Sequence, residues 1–154
     1  MLRFLQRFTD RKLVLTDFAA WKPLAVGYKT FYKTAITDDE LAAAWQRFHD
    51  PCVPIFALGA FDKNRLMGIA HYLHHTGCWT TKPVFYLQDL FVSIEGRGNG
   101  VGRALIEAIY QEAAARGAER VYWQTHETNE TAMALYNQVA EKSGFVVYRK
   151  LLKN

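Results

Sequence analysis

The chain has 154 residues, 50% hydrophobic and 22% charged, with a formal net charge of +4. At that length one domain is expected, and the apolar content with low net charge excludes disorder as the main state. Cys52 and Cys78 are too few for a disulfide scaffold and form no CxxC pair, so a reducing compartment is expected. No apolar run reaches the ~18–20 residues of a membrane span. Arg3 and Arg7 interrupt any signal-peptide core. A cytoplasmic protein without a membrane partner is therefore expected. No block of five like charges occurs, nor a basic stripe with interleaved aromatics, so a nucleic-acid partner is not expected.

Residues 11–16 read as a short strand, and Asp17 as the cap of a helix running toward Thr34, with Pro23 marking a kink or the true first turn. Thr37 and Glu40 form a capping box that opens a second helix, which Asp50 and Pro51 end. Residues 55–61 and 66–74 read as a β-hairpin around the polar turn 62–65. Residues 84–92 are almost continuously apolar, as in a central strand buried on both faces. After the glycine-rich stretch 95–102, apolar residues at 101, 104, 105, 108 and 109 follow helical spacing, and Gly117 supplies the end. A strand at 120–125, a helix from the Asn129 cap to Gly144 and a last strand at 145–149 complete the order β–α–α–β–β–β–α–β–α–β. The strand–loop–helix–strand unit predicts a parallel pair beside an antiparallel hairpin, in a mixed α/β sheet with helices on both faces.

A glycine-rich turn between strand and helix lets backbone approach a ligand, while the first N–H groups of the helix point outward from the positive end of its dipole. Together these make a pyrophosphate site. A P-loop is excluded because no lysine follows the glycines. The spacing Gly98-x-Gly100-x-Gly102 is one residue tighter than a dinucleotide fingerprint. Two readings stay open: Arg97-x-x-Gly100-x-Gly102 as a binding motif, and a plain glycine-rich turn.

The stretch RGNGVG at 97–102, preceded by YLQDLFV at 86–92, resembles the acetyl-coenzyme A motif [Q/R]-x-x-G-x-[G/A] of the GNAT superfamily of N-acetyltransferases. The stretch NETAMALY at 129–136 is similar to a second family motif, in which an asparagine caps a helix and a tyrosine follows seven residues on. SGFVVY at 143–148 resembles the closing strand. The strand and loop look closest to the polyamine and small-amine branch. The resemblance implies a twisted, largely antiparallel sheet of six to seven strands with one parallel, splayed pair. It implies acetyl-coenzyme A as co-substrate, a small-molecule amine as acceptor and a homodimer with the C-terminal strand as a pairing element.

In the family the loop binds the pyrophosphate through backbone N–H groups, here those of Arg97, Gly98, Asn99, Gly100, Val101, Gly102 and Arg103. The Arg103 side chain adds a charge for a phosphate or pairs with Glu107. The backbone of Leu90, Phe91 and Val92 would bond the pantetheine arm beside a bulged strand, and one N–H there would polarise the thioester carbonyl. Tyr136 matches the general acid for the leaving thiolate. An alkyl ammonium must lose a proton before attack. Asp89 is the candidate base in the strand, and a structural carboxylate is the competing reading. Gln88 stands where the polyamine enzymes carry glutamate, a departure from that branch. His126 and Glu127 are weaker candidates for the base. Asn129 is an N-cap or a coenzyme contact as well.

The histidines at 71, 74 and 75 lack a carboxylate or cysteine at metal spacing, so no metal is expected. Trp21, Tyr28, Phe31, Tyr32, Trp45 and Trp79 line an acceptor site or simply pack the core. A protein lysine or N-terminus is the alternative acceptor, and a non-catalytic acyl-coenzyme A sensor the alternative function.

Overall fold

The computed structural model describes residues 7–153. The chain divides into a larger unit ending at Gln124 and a smaller one beginning at Thr125.

The larger unit is one five-stranded sheet in sequential order, β1 (Thr9–Lys12), β2 (Ile55–Asp62), β3 (Arg65–His75), β4 (Val84–Val92) and β5 (Arg120–Tyr122). The first four strands pair antiparallel, and β5 lies parallel to β4. The crossover from β4 to β5 is helix α3 (Val101–Ala115). Helices α1 (Phe18–Phe31) and α2 (Asp38–Phe48) come between β1 and β2. Trp21 and Ala25 of α1 and Leu41 and Trp45 of α2 share one core cluster with Ala57, Phe61 and Ile69 of the sheet. Val101, Leu105, Ile106, Ile109 and Ala113 form the buried stripe of α3. A Cβ at Gly68 of β3 would meet Val101 and Leu105, so α3 lies directly on the strands.

Local chemistry explains most boundaries. The capping box is formed: the Glu40 N–H donates to Thr37 Oγ1 (3.2 Å) and the Thr37 N–H to Glu40 Oε2 (2.8 Å). β1 stops at Lys12, short of the expected 11–16, because Asp17 bends the chain. Its carboxylate accepts the Val14 N–H (2.8 Å) and pairs with Arg11 (2.7 Å), and Leu15–Asp17 forms a 3-10 turn. Pro23 sits inside α1, and Asp17 at the N-cap position makes no side-chain capping bond. Asp62 pairs with Arg65, so the hairpin turn is Lys63-Asn64, with Lys63 at φ 56°. α3 ends as expected at Gly117, whose φ of 66° lets the Ala118 N–H reach the Ala113 carbonyl (2.9 Å).

The smaller unit holds α4 (Glu130–Val139). The helix ends at Val139, ahead of the expected Gly144, with Ala140 extended. Residues 145–149 are not a strand. No ladder of the sheet includes them, and Phe145 to Tyr148 are 69–92% exposed. The described sheet therefore has five strands where six to seven were expected. β-propensity alone makes no strand; a paired backbone does.

Candidate active site

β4 leads into a 3-10 turn, Ile94–Gly96, where Ser93 Oγ accepts the Gly96 N–H (3.2 Å). Two side chains then brace the loop from within. Arg97 Nε donates to the Val92 carbonyl (3.3 Å), and its guanidinium lies 5.8 Å from the Phe91 ring centre. Asn99 Nδ2 donates to the carbonyls of Glu95 (3.2 Å) and Arg97 (3.1 Å), while its Oδ1 accepts from Arg7 (3.1 Å).

Gly98 and Gly100 have φ of 73° and 86°, a region that costs an L-residue ~1–2 kcal/mol. A Cβ at either position would meet nothing within 4 Å. Glycine is thus required by conformation, and the space beside it is open. Gly100 is the N-cap of α3 and carries no capping side chain. The first intrahelical bond runs from the Ala104 N–H to the Gly100 carbonyl (3.0 Å). The N–H groups of Val101, Gly102 and Arg103 come before it, at the positive end of a 15-residue helix. This open, uncapped start fits a pyrophosphate.

The strand before the loop is splayed from its neighbour. β5 pairs with β4 only at Val84, Phe85 and Tyr86. β4 continues through Leu90, Phe91 and Val92 without a β5 partner, paired to β3 on its other side. A bulge also interrupts the β3–β4 ladder. Tyr72 opposes Leu87 and His71 opposes Asp89, so Gln88 is the extra residue and is exposed.

Asp89 is thereby aimed at the face carrying α1. Its Oδ2 lies 2.9 Å from His71 Nδ1, and the Tyr28 hydroxyl donates to the carboxylate. Burial pushes the Asp89 carboxyl up, but the hydrogen bonds it accepts from His71 first and then Tyr28, with the Lys29 ammonium, outweigh it. They hold the carboxyl below its ordinary value. Burial, followed by the Asp89 charge, raises the Tyr28 hydroxyl far above the usual phenol value, so it stays a donor. Tyr32 is raised by the same two causes. Tyr86 is raised by burial first, with the hydrogen bond to Gln124 opposing it and Tyr122 and Asp89 adding to it. Tyr86 packs on Tyr122 (5.0 Å between centres) and accepts from Gln124 (3.1 Å).

The aromatic residues divide by role. Trp21 and Trp45 are core, at 2% and 6% exposure, whereas Trp79 is fully exposed and Phe31 and Tyr32 are partly so. The second nitrogen of His71 accepts from Trp21 Nε1 (2.9 Å). In the smaller unit, Asn129 occupies the N-cap position of α4 without capping it. Its Nδ2 instead donates to Thr125 Oγ1 (3.2 Å). Tyr136 stands half-buried on α4. Among the described residues no helix is long and apolar enough to cross a membrane.

The pairing of Asp89 with His71 and Tyr28 is the part of the site that motif reading missed. A histidine and an aspartate on adjacent strands were visible, but their register was not.

The splayed parallel pair followed by an open glycine loop on a helix start is the arrangement that the resemblance to the N-acetyltransferases implies. The pattern of the acetyltransferase (GNAT) family matches residues 19–140, and the chain belongs to that family and is an acyltransferase. It is 38% identical over 136 residues to the D-amino-acid N-acetyltransferase HPA3 of Saccharomyces cerevisiae, covering 87% of this chain and 84% of that one. It is 30% identical over 140 residues to the uncharacterized N-acetyltransferase YhfO of Bacillus subtilis, covering 90% and 93%. The fold is also that of the aminoglycoside N-acetyltransferase AAC(6')-Iy in complex with CoA, at a TM-score of 0.80 and 17% identity over 98% and 99% of the two chains.

Proposed function

We propose that residues 1–154 form a single N-acetyltransferase domain that passes the acetyl group of acetyl-coenzyme A directly to the primary amine of a small molecule. The observation that carries this reading is the open, uncapped glycine cradle at the end of a splayed β4, with Asp89 on that same strand. When bound, the coenzyme supplies an activated thioester. The N–H groups of Gly98, Gly100, Val101, Gly102 and Arg103 would hold its pyrophosphate, while those of Arg97 and Asn99 donate within the loop to the carbonyls of Ser93 (3.2 Å) and Gly96 (3.4 Å); the backbone of Leu90, Phe91 and Val92 would hold its arm. An N–H on that edge stabilises developing oxyanion charge, an effect of ~2.7–4 kcal/mol per donor elsewhere.

Magnitudes assign the proton. Moving it from an alkyl ammonium of pKa ~10 to water at pH 7 costs about 4 kcal/mol. Moving it to a carboxyl held below the ordinary ~3.9 costs more than about 8 kcal/mol. Asp89 therefore attracts and orients the ammonium, and solvent takes its proton. The amine nitrogen then bonds to the acetyl carbon and releases a second proton to solvent, the carbon–sulfur bond breaks, and the Tyr136 hydroxyl, in the role its family motif implies, donates a proton to the leaving sulfur. Solvent restores the tyrosine. Asn129 supports this from the start of α4. Tyr136→Phe is expected to lower kcat about 100-fold with little change in the KM for coenzyme, measured by steady-state thiol release.

The acceptor proposed is an amino acid and not a polyamine. Asp89 offers one carboxylate, and the Lys29 charge acts on it from α1. The D-amino-acid activity in the yeast relative's name supports an acceptor with its own carboxylate, and Gln88 stands where the polyamine enzymes carry glutamate. The test is kcat/KM for D- and L-amino acids against their methyl esters and spermidine. At least a tenfold preference for the free acids is expected. Equal or better turnover of spermidine would overturn it.

The enzyme works in a reducing, cytoplasmic setting, which suits its two exposed free thiols. It acts as a homodimer, for which the exposed apolar segment Phe145 to Tyr148 offers pairing surface. Light scattering is expected to give twice the chain mass for the wild type and a smaller value for Val146→Asp with Tyr148→Asp. A monomeric wild type would overturn this.

A further inference from the structure

Asp89 does not reach its position by strand register alone. From His75 to Tyr72 the β3–β4 ladder runs in one register, which carried one step further would set Gln88 opposite His71. The bulge at Gln88 sets Asp89 there instead, and turns its side chain to the α1 face. His71 is held from the other side. The indole N–H of the buried Trp21 has only a donor to offer, so His71 Nε2 must accept (2.9 Å). The ring hydrogen is then on Nδ1, aimed at Asp89 Oδ2 (2.9 Å). Phe48 stacks on the same imidazole at 4.6 Å.

We propose that His71, fixed by Trp21 in its Nδ1–H form, is the positioning residue that orients the Asp89 carboxylate toward the ammonium of the acceptor. The proposal rests on the acetyltransferase reading and deepens it. A carboxylate offers about four lone-pair sites. His71 and Tyr28 occupy two, and the others remain for the substrate. With Nε2 engaged by Trp21, His71 takes no proton from the amine; its work is to fix the angle of Asp89. The charged and titratable groups facing Asp89 are His71 from β3, Tyr28 and Lys29 from α1, Tyr32 at the C-cap of α1, and Tyr86 from β4. Loss of His71 therefore removes the first of the interactions that keep the carboxyl acidic.

Two measurements test this. Long-range 1H–15N NMR of the wild-type protein at pH 7 reads the tautomer without any catalysis. A hydrogen on Nδ1 alone is expected; a hydrogen on Nε2, alone or as well, overturns the proposal. Kinetics then compare His71→Leu with His71→Asn, whose amide keeps an N–H donor near Nδ1. His71→Leu is expected to raise the acceptor KM at least tenfold, move the acid limb of the kcat/KM profile up by about one pH unit, and leave the coenzyme KM within about twofold. His71→Asn is expected to restore both within about threefold. An unmoved acid limb and acceptor KM in a folded His71→Leu protein would overturn the proposal. Absence of acetyl transfer in the wild type would instead remove the acetyltransferase reading, and the NMR result would still decide the His71 geometry.

Discussion

Replacing Gly100 by valine is expected to weaken acetyl-coenzyme A binding at least 100-fold, while lowering the melting temperature by only a few degrees. The backbone there has φ 86°, so a β-branched residue is strained by ~1–2 kcal/mol or more. For a chain of this size that corresponds to a loss of about 2–8 °C. The larger effect comes from position. The new side chain would enter the open space at the uncapped start of α3, where the pyrophosphate is proposed to lie. Gly117 supplies the control. It has φ 66°, equally open surroundings, and sits at the opposite end of the same helix. Gly117→Val carries similar strain and is expected to keep coenzyme affinity within about threefold, as measured by calorimetric titration. Equal loss of affinity in both variants would mean that the loop acts through stability and not as a cradle.

Asp89→Asn is expected to lower kcat/KM for the acceptor by about 100-fold, close to 2.7 kcal/mol, with coenzyme affinity unchanged. The substitution keeps the shape and an oxygen for His71 and removes the charge. The pH dependence follows from the direction of the shift. The folded-state value lies below the ordinary one, so the charged form persists as pH falls through the usual carboxylate range. Its contribution to stability is complete above the unfolded value and is lost only as pH falls through the folded one. The asparagine variant should therefore lose less stability than the wild type on acidification through that window, followed by urea unfolding at several pH values. An identical acid loss in both proteins would show that Asp89 is not held in its charged form.

Much of this was legible in the sequence because it is local. Gly98, Gly100 and Gly102 ahead of a helical apolar pattern announce an open helix start, and Thr37 with Glu40 writes a capping box within four residues. The parallel pair followed from the strand–loop–helix–strand order. What stayed hidden depends on non-local pairing. Residues 145–149 look like a strand by composition, yet a strand needs a neighbouring backbone, and the described sheet supplies none. The Asp89 site needed the register of β4 on β3, and one bulged residue decides whether Gln88 or Asp89 faces His71. Trp21 reads as a core aromatic and is one, but its single N–H also sets the tautomer of His71.

The most direct measurement of the central claim is thiol release from acetyl-coenzyme A, with and without a small amine, with the product identified by mass spectrometry. Thiol and N-acetylated amine are expected in equal amounts with an amino acid acceptor, and almost no thiol without one. Bound coenzyme that yields no thiol with amino acids, polyamines, aminoglycosides, arylamines or peptides would contradict it.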